Sequence, residues 1–165
     1  MGSARFLVLG VGNELLSDDG AGIVAARMLY QQLQNDPSYQ GEVDLEVASL
    51  AGWRLIDLLA GYKAAVLIDC VKGGPGQPGD CYRVAPESAW SENLRASHGI
   101  GLIEAIELAQ IGGLSMPQRL DVYAIEVQNP DVFGEGISEV VETKLSDAVA
   151  LIKGDLGVQQ RRDEA

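Results

Sequence analysis

Leu9-Gly10-Val11-Gly12-Asn13-Glu14-Leu15-Leu16-Ser17-Asp18-Asp19 leaves the apolar stretch Phe6-Leu7-Val8-Leu9, turns on two glycines and delivers two adjacent acids to a helical pattern. No other segment restricts the fold as strongly. A short continuous apolar run before glycine is the pattern of a strand buried on both faces, which calls for a parallel sheet covered by helices. The spacing of Ile23, Val24, Ala26, Met28, Leu29 and Leu33 predicts a helix from Asp19 to about Gln34. Asp18 and Asp19 stand where a helix start favours acids, through capping and the macrodipole.

Strand, glycine turn and helix together often announce a phosphate cradle. Here the fingerprint is incomplete, because Leu15 occupies the place of the third glycine in Gly10-x-Gly12-x-x-x. Asp18 and Asp19 would repel a pyrophosphate, and the chain has no G-x-x-x-x-G-K-S/T segment. A Rossmann-like nucleotide-binding enzyme is therefore the weaker reading, and the turn suits a cation better.

The remaining pattern alternates strands and helices. Val43, Leu45 and Val47 predict a second strand near an edge, and Leu50 to Gly61 a short helix. Ala64-Ala65-Val66-Leu67-Ile68 is the most apolar run and predicts a central strand that ends on Asp69. Glycines and prolines between Gly73 and Gly79 form a turn before an extended piece, Cys81 to Val84. A helix follows from Leu102 to Ala109, then a strand from Leu120 to Ile125 and an amphipathic helix from Ser138 to Ile152. The expected fold is an α/β three-layer αβα sandwich, a mostly parallel or mixed sheet of about five strands with helices on both faces. Residues 1–158 form one domain in this reading, and the polar tail 159–165 is expected to be disordered.

Composition narrows the function. The chain of 165 residues carries 24 acids against 12 bases, a formal charge of −12. It offers no surplus of cations for nucleic acid or an anionic membrane. No apolar run approaches the roughly 20 residues of a membrane span, and the N-terminus lacks the pattern of a signal peptide. The expectation is a cytoplasmic protein, and a monomer. Cys70 and Cys81 lack the C-x-x-C spacing of a metal knuckle, so two reduced thiols are expected, with Cys70 packed beside a strand end and, as the neighbour of Asp69, open to a minor role near the site.

In open α/β sheets ligands bind outside the carboxyl ends of the strands. The polar residues there are Asn13, Asp18 and Asp19 after the first strand and Asp69 after the central one, and His98 opens a later helix. Asp19, Asp69 and His98 make a mixed oxygen and nitrogen set suited to a divalent ion such as Ni²⁺ or Zn²⁺. Each also has a plainer role. Asp19 could cap the helix, Asp69 could serve a turn, and His98 could be a surface residue. Asp18 is the better cap if Asp19 is a ligand.

These residues resemble a known family, the hydrogenase maturation endopeptidases that process the large subunit of [NiFe] hydrogenases. Gly10-Val11-Gly12-Asn13 with Leu15-Leu16-Ser17-Asp18-Asp19-Gly20-Ala21-Gly22 is similar to the family's first motif, whose second acid is a metal ligand. Asp69 matches the second ligand position, and His98 within Ser97-His98-Gly99-Ile100-Gly101-Leu102 the third. The likeness continues through Tyr123-Ala124-Ile125-Glu126 and Phe133-Gly134-Glu135-Gly136-Ile137-Ser138. Two departures stand out: some members carry Glu at the place of Asp19, and the family's Asp-Gly-Gly-Thr-Ala-Gly segment is here Ala48-Ser49-Leu50-Ala51-Gly52.

The resemblance implies an endopeptidase that removes a C-terminal extension from the hydrogenase large-subunit precursor once nickel is inserted. Asp19, Asp69 and His98 would bind nickel carried by the precursor, with zinc or another divalent ion able to substitute, and Asp19 or Asp69 would act as the base. A non-proteolytic nickel-handling or assembly factor using the same rim is the rival reading.

Overall fold

The computed structural model describes residues 5–37, 39, 42–49, 53–86 and 101–163. Among these, strands β1 (Arg5–Val11), β2 (Glu42–Ala48), β3 (Ala64–Val71), β4 (Cys81–Val84) and β5 (Arg119–Glu126) form one sheet. Its order is β2-β1-β3-β5-β4. The first four in that order run parallel, and β4 joins β5 antiparallel at the edge. The helices are α1 (Ala21–Gln34), α2 (Trp53–Leu59), α3 (Leu102–Ile111), α4 (Glu139–Glu142) and α5 (Leu145–Asp163). The architecture is the αβα sandwich with a mixed five-stranded sheet that the sequence pattern predicts.

Strand alternation divides the core into two layers. Phe6 and Val8 of β1 join Val66, Ile68 and Cys70 of β3 under α1 and α5. Leu7, Leu9 and Val11 join Ala65 and Leu67 under α2 and α3. A strand whose successive residues feed opposite layers must be apolar throughout, which is why β1 and β3 read as continuous runs. Each fully buried Leu or Ile contributes about 1.5–3 kcal/mol relative to exposure. β2 lies at the other edge and keeps Glu42, Glu46 and Val47 exposed, so burial does not follow the alternation of Val43, Leu45 and Val47. No helix of the described residues is long and apolar enough to cross a membrane.

Helix α1 lies unusually close to the sheet, and glycines permit it. A Cβ on Gly22 would come within 2.6 Å of the carbonyl oxygens of Ile68 and Val11. One on Gly10 would come within 2.8 Å of Ala26 Cβ and Ile23 Cα. The close helix–strand contact served by the third glycine of a phosphate loop is thus made seven residues later, by Gly22.

Four expectations are corrected. Asp69 lies inside β3 and not after it, because β5 supplies ladder partners as far as Asp69↔Ala124 and Val71↔Glu126. Asp18 and Asp19 sit in a 3-10 turn, Ser17–Gly20, ahead of α1, and no side chain caps that turn or the helix. The closing helix is divided: Lys144 donates its amide to Val141 in a tighter turn, and the Thr143 hydroxyl donates to the Val140 carbonyl, separating α4 from α5. Finally, α5 continues through Gln159 to Asp163, where a disordered tail is expected. Gln and Arg are good helix formers, and extending an existing helix avoids the cost of nucleating one.

Candidate functional site

The chain crosses from β1 to β2 on one side and to β3 on the other. The carboxyl ends of β1 and β3 are therefore the topological switch point, where an open α/β sheet binds ligands. Asp19 follows β1 and Asp69 lies near the end of β3.

Five acids are buried among the described residues: Asp18, Asp19, Asp69, Asp121 and Glu126. A buried carboxylate is costly unless paired or hydrogen-bonded, so each needs a physical account. Asp121, in β5, is paired with Arg83 and Arg119. Glu126 closes the turn after β3: its Oε1 accepts the Gly74 amide at 2.9 Å and its Oε2 the Tyr82 hydroxyl at 3.0 Å. Burial, then that hydrogen bond to Glu126, pushes the Tyr82 phenol up, so it remains a donor.

Asp18 joins two loops. Its Oδ1 accepts the Ser138 amide at 2.8 Å and its Oδ2 the Asn129 amide at 3.1 Å. Burial pushes this carboxyl up, but donors at Ser138, Asn129 and Gln128 outweigh it and hold the group below its ordinary value. The same loops are bound through the backbone, Ser17 amide to Gly134 carbonyl at 3.0 Å and Gly134 amide to Leu15 carbonyl at 3.2 Å. Asn13 shapes the turn by accepting the Leu15 amide on its side chain at 3.0 Å. Asp18 is thus a clamp across sequence-distant loops.

Asp19 and Asp69 remain, and both touch Cys70. Asp19 Oδ1 accepts the Cys70 thiol at 3.1 Å, and Asp69 Oδ1 accepts the Cys70 amide at 2.8 Å. Burial, then the charges of Asp69 and Asp19, pushes the Cys70 thiol up, so it stays protonated. Gly12 lies against the first acid, with φ of +147° and a hypothetical Cβ only 1.9 Å from the Asp19 carbonyl oxygen. Any side chain at Gly12 would displace Asp19. The glycine fixes the position of the acid, a role quite different from cradling an anion.

His98 lies outside the described residues. Within them, no three His, Cys, Asp or Glu residues gather in a group that could hold a metal ion. Sequence reasoning picks out Asp19 and Asp69 but misses the contact with Cys70, the Asp18 clamp and the Glu126 latch. A signal for Asp18 is present: adjacent acids in a tight turn point in different directions, so one of the two must find partners elsewhere.

Fold and rim together define an α/β protein with buried carboxylates where a phosphate loop would hold an anion. A family model for hydrogenase maturation proteases matches residues 27–154, and the chain belongs to that family. The match begins inside α1, beyond the glycine turn and Asp19, and spans Asp69 and Cys70. The activity class is accordingly that of a peptidase of hydrogenase maturation.

Solved structures agree in fold. The hydrogenase maturating endopeptidase HybD from E. coli is 23% identical with a TM-score of 0.65, covering 94% of this chain and 93% of its own. A hydrogenase 2 maturation peptidase from a Thaumarchaeota archaeon is 26% identical with a TM-score of 0.60, over 93% of this chain and 98% of its own. The [NiFe] hydrogenase maturation protease HycI from Thermococcus kodakarensis is 22% identical with a TM-score of 0.61, over 93% and 92%. No curated protein matches.

Proposed function

We propose that this chain removes the C-terminal extension of a [NiFe] hydrogenase large-subunit precursor after nickel insertion, recognising nickel that the precursor carries. One observation supports this most: of the five buried acids, Asp121, Glu126 and Asp18 hold structure together, whereas Asp19 and Asp69 meet at Cys70 on the switch point. Asp19 and Asp69 offer oxygen donors and His98 a nitrogen, a set suited to Ni²⁺ and tolerant of Zn²⁺.

The surroundings favour a polypeptide substrate. Leu15, Val132 and Phe133 are exposed on the two loops that Asp18 joins, Phe133 to 82%. Exposed apolar groups beside a polar site mark a surface for a partner. Hydrolysis requires water to attack the scissile carbonyl, a base to take its proton, and that proton to reach the leaving amine. Asp19 or Asp69 carries the proton, and the precursor's nickel polarises the carbonyl.

Incubation with nickel-loaded precursor tests this by mass. The expected product is a precursor shortened by one C-terminal cut. A precursor of unchanged mass would overturn the peptidase reading and favour a nickel-handling factor.

A further inference from the structure

Cys70 bonds to both acids of the rim, one through its thiol and the other through its amide. Alternation along β3 places its side chain with Ile68 on the α1 layer, and that of Asp69 with Leu67 on the α2 and α3 layer. Cys70 therefore joins acids that reach the carboxyl end of β3 from opposite sides of the sheet.

Three roles compete for this thiol. Packing alone would need no acceptor, since a buried cysteine otherwise behaves as a small hydrophobe. A disulfide with Cys81 is excluded by register. Cys70 and Cys81 both face Ile125 across β5, one from β3 and one from β4. That puts them two strand spacings apart, about 9.6 Å, beyond the roughly 7 Å limit for bridging. Service as a metal ligand is opposed by the geometry: the thiol donates to Asp19 Oδ1 at 3.1 Å, and no three His, Cys, Asp or Glu among the described residues gather into a group that could hold an ion. What remains is an S–H donor aimed at Asp19.

We propose that Cys70 is a positioning residue: its thiol orients the Asp19 carboxylate and its amide the Asp69 carboxylate for the incoming nickel-bearing substrate. The role rests on the reading of Asp19 and Asp69 given above. Hydrogen-bond partners of ligating groups fix their orientation, and losing one typically costs about 10–100-fold in affinity or activity.

Two measurements on the whole chain test it. With Cys81→Ala removing the other thiol, the infrared S–H stretch reads Cys70 without metal or substrate. The band should lie at lower frequency there than when Asp19→Ala is added, and an unshifted band would overturn the contact. In precursor processing, Cys70→Ala should lower kcat about tenfold with KM little changed. Cys70→Ser, which keeps a donor, should restore most of the loss, with thermal unfolding of both variants like the parent's. A Cys70→Ala variant with parental kcat, or a well-folded Cys70→Ser no better than Cys70→Ala, would overturn the positioning role. If the parent itself leaves the precursor uncut while the band shifts as expected, the peptidase reading fails, and the positioning role with it, but the contact stands.

Discussion

Asp18 and Asp19 are adjacent in sequence and opposite in purpose. Asp19 turns toward Cys70, whereas Asp18 accepts two amides from loops over a hundred positions away. The sequence made the acid pair conspicuous, but its division of labour depends on partners brought near only by the fold. Substitution should separate the two. Asp19→Ala and His98→Ala are expected to reduce processing about 100-fold or more while unfolding stays within about 1 kcal/mol of the parent. Collapse of either variant in a thermal melt would make that residue structural. Asp18 should instead govern acid stability. Its folded carboxyl titrates below the ordinary value of 3.8, so its contribution is complete above that value and is lost as pH falls through the lower folded one. Asp18→Asn should flatten that acid limb in urea midpoints measured against pH. An unchanged limb would show that other carboxylates set it.

At the scale of elements, the apolar runs made β1 and β3 legible, because only a doubly covered strand is apolar on both faces. The end of β3 was not legible. Asp69 reads as a strand terminator, yet β5 continues the ladder past it, and pairing is a property of two strands. The missing third glycine was likewise misleading on its own, since Gly22 performs the close packing from within α1. Gly22→Ala would drive a methyl group into the Ile68 and Val11 carbonyls and lift α1 from the sheet. The expected cost is about 1–3 kcal/mol, read from urea unfolding, with a loss of processing because α1 follows directly on Asp19. A variant as stable and active as the parent would show that the helix tolerates the shift.

Over the whole molecule, the sheet order creates the switch point, and the switch point selects which acids can act on a ligand. The sequence pointed to the rim through Asp19 and Asp69, but it did not contain Cys70 as their link, since that contact joins residues from separate βα units. With a formal charge of −12, the chain repels anionic partners at long range, so the proposed binding of a precursor would draw on specific contacts: exposed apolar groups such as Phe133, and Asp19 and Asp69 for its nickel. The most direct measurement compares the affinity of the chain for nickel-loaded and nickel-free precursor, in the parent and in Asp19→Ala. Recognition of precursor-borne nickel through Asp19 requires tighter binding of the loaded form by the parent, about tenfold or more, and no preference in Asp19→Ala. Equal affinity of the parent for both forms would contradict it.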